Sequence, residues 1–278
     1  MNTLLPNPVI PPGLKKVPPF PPVAAKLLQL LSNPKVEISD VAAVISSDPS
    51  LTTCLLERAN SMEFGFASTI TNVRQAVALL GIDRTRLITL TLTAASYSKR
   101  VTTVEMTECW QHSLASAALA ENIAHSAGAF VNVAFVAGIL HDLGRLALLV
   151  AFPKEYRNLI RRAQEEHGDI LDVEQQEFGI NHAEAGRLLA ETWGLPEELR
   201  VIAGRHHDHC DGVELDLLRI VHVACRLASM LGFGIVPPRI QLDISVVIDE
   251  LPPQASKSLR KTPEDLRTEI EKRISVFS

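Results

Sequence analysis

The sequence predicts an all-α fold, on three observations: apolar residues recur at helical spacing along most of the chain, helix caps and breakers punctuate it, and strand-like alternation is nearly absent. At 278 residues with 46% hydrophobic content, the chain is long enough to bury a large core. Only 5% of residues are aromatic, so that core is built from Leu, Ala, Val and Ile, a composition that suits packed helices.

Residues 1–16 are Pro-rich and aperiodic and are read as an extended arm. Pro-Pro-Phe-Pro-Pro at 18–22 then leads into a short amphipathic helix over 23–31, closed by Ser32, Asn33 and Pro34. Ser39 opens a second helix over 40–46, Asp48-Pro49 forces a turn, and Ser50 is expected to cap a third helix through residue 60. A loop over 61–71 separates it from a helix over 72–80, with Gly81 as its stop. The next helix is expected over 83–99. Within it residues 88–93 alternate like a strand, but the longer helical context favours helix.

In the second half, Thr107 is expected to cap a helix to 127, stopped by Gly128, and 132–152 reads as one long apolar helix. An amphipathic helix follows over 154–167. The stretch from Asp172 leads to a break at Gly179, and helices are expected over 182–193, 197–206 and 215–231. Two more candidates lie at 243–251 and 262–276, the last capped by Thr262 and Pro263. No fixed-period repeat argues for a solenoid.

Charge and cysteine usage narrow the function classes. The formal net charge is −5 and the predicted pI about 6.0, without the basic excess of a phosphate-backbone binder, so no nucleic-acid partner is expected. Four cysteines stand far apart with no Cys-x-x-Cys pair, which fits a reducing cytoplasm rather than a disulfide framework. Prolines break the N-terminus, so it carries no secretory signal pattern, and His141, Asp142 and Arg145 interrupt the longest apolar run. Placing those polar groups in lipid is expensive, so a buried helix is preferred to a membrane span.

The chemistry-bearing residues are histidines, nine in all. His141-Asp142 pairs a neutral imidazole with a carboxylate, a natural donor set for Fe, Mn or Zn. On one helix the two side chains diverge by about 100°, so they share an ion only if it sits against that helix face. Glu108 and His112 share a face at i, i+4; His182 starts a helix; His206 and His207 follow one. Any one of these is more often a satisfied core or surface group than a ligand, and His125, His167, His209 and His222 are read that way. The combination weighs more, because Asp142 interrupts an apolar helix and a buried carboxylate needs a cation or donors.

The ordered series His112, His141-Asp142, His182 and His206-His207 resembles the metal-binding series of the HD superfamily, particularly the HD-GYP phosphodiesterases of cyclic dinucleotides. Segments 17–28, 45–52, 58–65 and 73–82 resemble a narrower relative, the HDOD ("HD-related output domain") family, along roughly 17–232. The resemblance implies a multi-helix HD-superfamily-like bundle with an N-terminal lobe over 17–104 and an HD-like core over 105–232, with the helices of 233–278 packing on it. It also implies bacterial signalling with enzymatic activity generally not established.

By the same resemblance, His112 and His141 match the first two ligands, Asp142 the carboxylate that bridges two metals, and His182, His206 and His207 the later ligands. Glu108 falls where some HD-GYP sites add a carboxylate, and Arg145 where they carry a phosphate-contacting lysine. Two departures stand out: Cys225 replaces the closing aspartate, and no Gly-Tyr-Pro segment follows His207. The implied cofactor is a divalent metal, one or two ions, with iron or manganese favoured and zinc compatible.

The expected function is regulation through signalling protein partners or a nucleotide-like ligand. A metal-dependent phosphohydrolase is the rival, with Asp142 and Arg145 in catalytic roles. An apolar strip along 235–251 reads either as a dimer surface or as a helix packed on the core, which leaves the oligomeric state open.

Overall fold

The computed structural model describes residues 12–17, 22–31, 35–61, 69–82, 84–85, 88–89, 103–131, 133–166, 168–208, 210, 214–236 and 242–275, and no strand occurs among them. Four helices open the chain: α1 (Pro22–Leu31), α2 (Ile38–Ser46), α3 (Pro49–Ala59) and α4 (Val73–Leu80). Their apolar faces meet around Leu27, Val41, Ile45, Leu55, Val73 and Val77, which form one cluster. Asp48, not Ser50, caps α3, its carboxylate accepting from the Leu51 N–H, and Pro49 sits in the first turn where a missing N–H costs nothing. Asn60 ties the end of α3 to Ile70, donating to its carbonyl at 2.9 Å and accepting from its N–H at 2.8 Å.

Of the helix expected over 83–99, residues 84, 85, 88 and 89 are helical, and the rest lies outside the described residues, as do 62–68 of the loop before it. The Pro-rich stretch also departs from expectation at its end. Leu14–Lys16 is a 3₁₀ turn rather than extended chain, because Leu14 and Val17 find apolar partners in the main core. Residues 1–11 lie outside the described part.

The main core is built on α5 (Val104–Ala127), capped by Thr103 one turn earlier than expected and closed by Gly128 in the left-handed region at φ 68°. Residues on every side of α5 are buried between Met106 and Ala124, as befits a central helix hydrophobic all round. Its alanines let neighbours come close. A Cβ on Gly138 would lie 2.4 Å from the Ala117 Cα, so only glycine permits that helix crossing.

The long helix expected over 132–152 is two helices, α6 (Ala134–Leu140) and α7 (Leu143–Ala151), with His141 and Asp142 forming the turn between them. This overturns the expectation that both side chains leave one helix face. A helix break, not helical periodicity, aims them at a common pocket. The apolar window Ala134–Ala151 is 94% buried, against the protein's own helices.

Next in the chain are α8 (Pro153–Glu166), α9 (Ile170–Phe178), α10 (His182–Thr192), α11 (Glu197–Arg205) and α12 (Leu217–Ala228). Helix α6 and α12 both pack on α5, while α10 packs on α7 and α11. After a π-turn over Ser229–Phe233, α13 (Ile244–Ile248) and α14 (Pro263–Ile274) complete the core. Helix α14 lies against α5, burying Leu266 and Ile270 and sending Arg273 to Asn122 and Glu121. Ile235, Val247, Ile248 and Leu251 are buried in the same cluster, so most of the described apolar strip along 235–251 packs inward, with Leu242 and Val246 exposed.

Candidate metal centre

Four helices and one turn deliver the site. His112 lies midway along α5, and Cys225 faces it from α12 with its sulfur 3.4 Å from the His112 Nε2. His141 and Asp142 come from the α6–α7 turn. His182 is the first residue of α10, whose end is fixed by Asn181 accepting from the Glu184 N–H. His206 closes α11 and His207 follows it. Gly144 permits this assembly, since a Cβ there would lie 1.9 Å from the His182 carbonyl oxygen. His112 is 4% exposed, and His141, Asp142, His182 and His206 are at 1% or less.

The rings form a continuous chain. Centroids are separated by 5.3 Å for His112 and His141, 4.9 Å for His141 and His206, 5.4 Å for His182 and His206, and 4.9 Å for His182 and His207.

Hydrogen bonds at the outer edges decide the tautomers. The His141 Nδ1 lies 2.6 Å from the Gly138 carbonyl, which can only accept, so that nitrogen carries the proton. The His182 Nδ1 lies 2.6 Å from the Glu174 carboxylate, and the His206 Nδ1 lies 3.2 Å from both the Ile202 and Ala203 carbonyls. In all three, the inward Nε2 therefore offers a lone pair. The His141 Nε2 faces the His112 Nε2 at 3.4 Å and the His182 Nε2 faces the His207 Nε2 at 2.9 Å, so a proton or cation is needed between such pairs.

Asp142 lies among them. Its Oδ1 is 3.4 Å from the His182 Nε2 and 3.9 Å from the His206 Nε2, and its Oδ2 is 2.9 Å from the Arg145 Nε. Despite that ion pair, neither carboxylate oxygen has an aligned hydrogen-bond donor, and the buried His206 Nε2 and His112 Nδ1 have no hydrogen-bond partner. A donor set of imidazole nitrogens and a carboxylate, buried and left with unmatched acceptors, fits a divalent transition metal.

Electrostatics agree with neutral rings around a charged carboxylate. Burial pulls the His112 imidazole down to about 3, with the neighbouring His141 adding to the effect. Burial likewise lowers His141 and His206, and the enclosure of the His207 Nε2 beside His182 lowers that ring although the residue's outer side is exposed. Burial pushes the Asp142 carboxyl up, but Arg145 and the surrounding imidazoles reverse this and hold it well below the usual carboxylate range. The Cys225 thiol is pushed up to about 12 by burial and by Asp142.

The structure gathers His112, His141, Asp142, His182, His206, His207 and Cys225. Three subsets have ligand atoms within 4.8 Å of one another: His112, His141 and Cys225; His141, Asp142 and His206; and His182, His206 and His207. Glu108 is not among them; it is exposed on α5, one turn before His112. Arg145 is buried and turned onto Asp142 and His182, with its Nη2 3.1 Å from the His182 Nε2, rather than held out towards a substrate. His207 is exposed overall, although its Nε2 reaches the enclosed His182. His222 steadies the backbone, its Nδ1 donating to the His206 carbonyl at 2.8 Å.

Sequence reasoning missed Glu174. This fully buried carboxylate accepts from the His182 backbone N–H at 2.7 Å as well as from its ring, and the Tyr156 hydroxyl donates to its other oxygen. Its place on the apolar side of α9, next to buried Val173, was the available signal.

Comparison with known proteins gives the family. The HDOD domain model matches residues 17–209. An uncharacterized protein of Treponema pallidum (strain Nichols) is 29% identical over 196 residues, which is 68% of this chain and 38% of that longer protein. The crystal structure of an HDOD domain protein of unknown function from Geobacter sulfurreducens superposes with a TM-score of 0.76 at 24% identity, covering 92% of this chain and 93% of the other. A protein from Shewanella amazonensis SB2B, provisionally named a phosphohydrolase, has a TM-score of 0.63 at 22% identity over 94% and 96% of the two chains. At such identities the structural likenesses speak for the fold alone, an all-α bundle shared with these proteins. The family match covers most of the chain: it belongs to the HDOD domain family.

Proposed function

We propose that this HDOD chain is a regulatory signalling protein that acts by binding a protein or small ligand, and that its buried cluster holds a divalent metal as part of that module. The observation that supports the metal is the set of Nε2 lone pairs of His141, His182 and His206, turned inward by acceptors on their Nδ1 sides, around a carboxylate without aligned donors. Arg145 already supplies a donor to the His182 Nε2, but the His206 Nε2 and both Asp142 oxygens are left unmatched, which is costly in a dry pocket, and one cation satisfies them together. Between them His112, His141, Asp142, His182, His206 and His207 would supply the donors for one or two such ions, with iron or manganese favoured by the hard carboxylate and zinc compatible.

When bound, the ion supplies concentrated positive charge and could polarise a water molecule or a phosphoryl oxygen. The chain's own residues favour regulation over turnover. The donor atoms are enclosed by helices, and Arg145 is already engaged by Asp142 and His182, so a phosphoester finds no free guanidinium. One observation favours the phosphohydrolase reading: His207 is exposed and opens a route to the His182 end of the cluster.

Metal analysis of protein purified without chelator tests the centre, and assays with cyclic di-GMP and generic phosphoesters in added manganese or iron separate the two roles. Stoichiometric metal without turnover supports the regulatory reading. Turnover that depends on the metal replaces it with the hydrolase. Substoichiometric metal that added manganese, iron or zinc does not restore sinks the metal centre in both readings.

A further inference from the structure

Arg145 carries a consequence for how many ions the centre takes. Its guanidinium keeps its proton at any relevant pH, and the negative charge of Asp142 reinforces this against the pull of burial. It lies within the pocket, with Nε 2.9 Å from the Asp142 Oδ2 and Nη2 3.1 Å from the His182 Nε2. Those are two of the atoms that a second ion on this side of Asp142 would need. The other side, with the Asp142 Oδ1, the unpartnered His206 Nε2, and the inward faces of His141 and His112, has no such cation among the described residues.

Two-metal sites place their ions about 4 Å apart, typically across a bridging carboxylate. Here a protein cation already sits against one oxygen of that carboxylate. Charge balance points the same way. Two divalent ions and a guanidinium would face only the carboxylates of Asp142 and Glu174 among the described residues of the pocket, and Glu174 is itself engaged by His182 and Tyr156. Positive charges so close together repel strongly in a dry site.

We infer that the centre takes a single divalent ion, held around His141, Asp142 and His206 with His112 beside them, and that the Arg145 guanidinium stands where a second ion would otherwise sit. The inference rests on the metal reading above and specifies its stoichiometry. It also makes Arg145 a determinant of ion number rather than a contact for substrate.

Native mass spectrometry of the full chain, exchanged into volatile buffer after incubation with excess manganese or zinc, counts ions per folded molecule. One ion is expected in the wild type and in R145K, which keeps the charge, and two in R145Q, which removes it; the first ion should bind R145Q about tenfold tighter as repulsion is relieved. Two ions in the wild type, or only one in folded R145Q, overturn the inference and leave the metal centre standing. If R145Q does not fold, the wild-type and R145K counts still decide, since a second ion in either refutes the stand-in role. No bound ion in the wild type sinks the metal reading itself.

Discussion

Glu174 grips His182 at two points, its Oε2 accepting from the backbone N–H at 2.7 Å and from the ring Nδ1–H at 2.6 Å. The same carboxylate takes the Tyr156 hydroxyl on its other oxygen, so a buried chain runs from α8 through α9 to the first residue of α10. This grip orients His182, which braces Arg145 and, through it, Asp142. Replacing Glu174 by Gln keeps the shape but turns an N–H₂ group towards a donor. E174Q should weaken metal binding by about tenfold, by loosening the His182–Arg145 brace on Asp142, and lower stability by roughly 1–3 kcal/mol through unmatched buried groups. Calorimetric titration with manganese and urea unfolding check the two effects separately. Unchanged affinity in E174Q would show that His182 needs no such brace.

Acid should destabilise the chelator-treated protein. Burial lowers His112 to about 3 and lowers His141, His206 and His207 as well, whereas the unfolded chain titrates its imidazoles near 6.5. A base whose folded value is depressed binds protons preferentially when unfolded. Its contribution to stability is complete above about pH 6.5 and is lost as pH falls below that value. Each such ring can contribute a slope of up to roughly 1.4 kcal/mol per pH unit in that window. The lowered Asp142 and Glu174 act in the same direction at lower pH. Unfolding free energies from urea titrations at pH 8.5, 7.5 and 5.5 should be similar for the first two and clearly smaller for the third. A flat profile would mean that the rings are solvated.

The all-α fold was legible because helical periodicity and caps are local properties, and α3, α4 and α14 start within a residue or two of their signals at Pro49, Asn72 and Thr262. The residues that gather in the pocket were legible too, through the His-Asp pair and the later histidines. What periodicity could not show is the break at His141-Asp142. The apolar pattern continues across it, and only packing of α6 on α5 and of α7 on α10 reveals two helices. Glu174 was hidden because one acidic residue among Asp172, Glu174 and Glu177 looks like any solvated helix face until its partner, eight residues away, is seen. Arg145 lies beside Asp142, three residues on, but its direction depends on which neighbour claims the guanidinium, and spacing does not encode that.

Gly144 should tolerate no side chain. A Cβ there would lie 1.9 Å from the His182 carbonyl oxygen and 2.4 Å from the Gly186 backbone nitrogen, and neither backbone atom can step aside cheaply. G144A must therefore push α7 away from α10, separating Asp142 and Arg145 from His182. A loss of roughly 2–4 kcal/mol is expected from overpacking between helix backbones, together with loss of metal binding. Thermal unfolding followed by circular dichroism reads the first, and metal content reads the second. A G144A protein with wild-type stability would show that the two helices stand further apart.

Asp142 gives the sharpest test, because its charge has two jobs. It is the carboxylate of the cluster, and it neutralises the buried Arg145 guanidinium. D142N retains volume while removing charge, so it should abolish stoichiometric metal and also leave a buried cation without its partner. Breaking one side of a buried pair typically costs about 3–5 kcal/mol. Pairing D142N with R145L removes both charges and should recover much of that stability while metal stays absent, which separates the structural role from the binding role. The exposed Glu108 supplies the contrast: E108Q should bind metal as the wild type does, since its carboxylate lies outside the gathered donor atoms. Metal content and urea unfolding across D142N, D142N/R145L and E108Q check these outcomes together. Retention of a full equivalent of metal in D142N would remove this carboxylate from the centre.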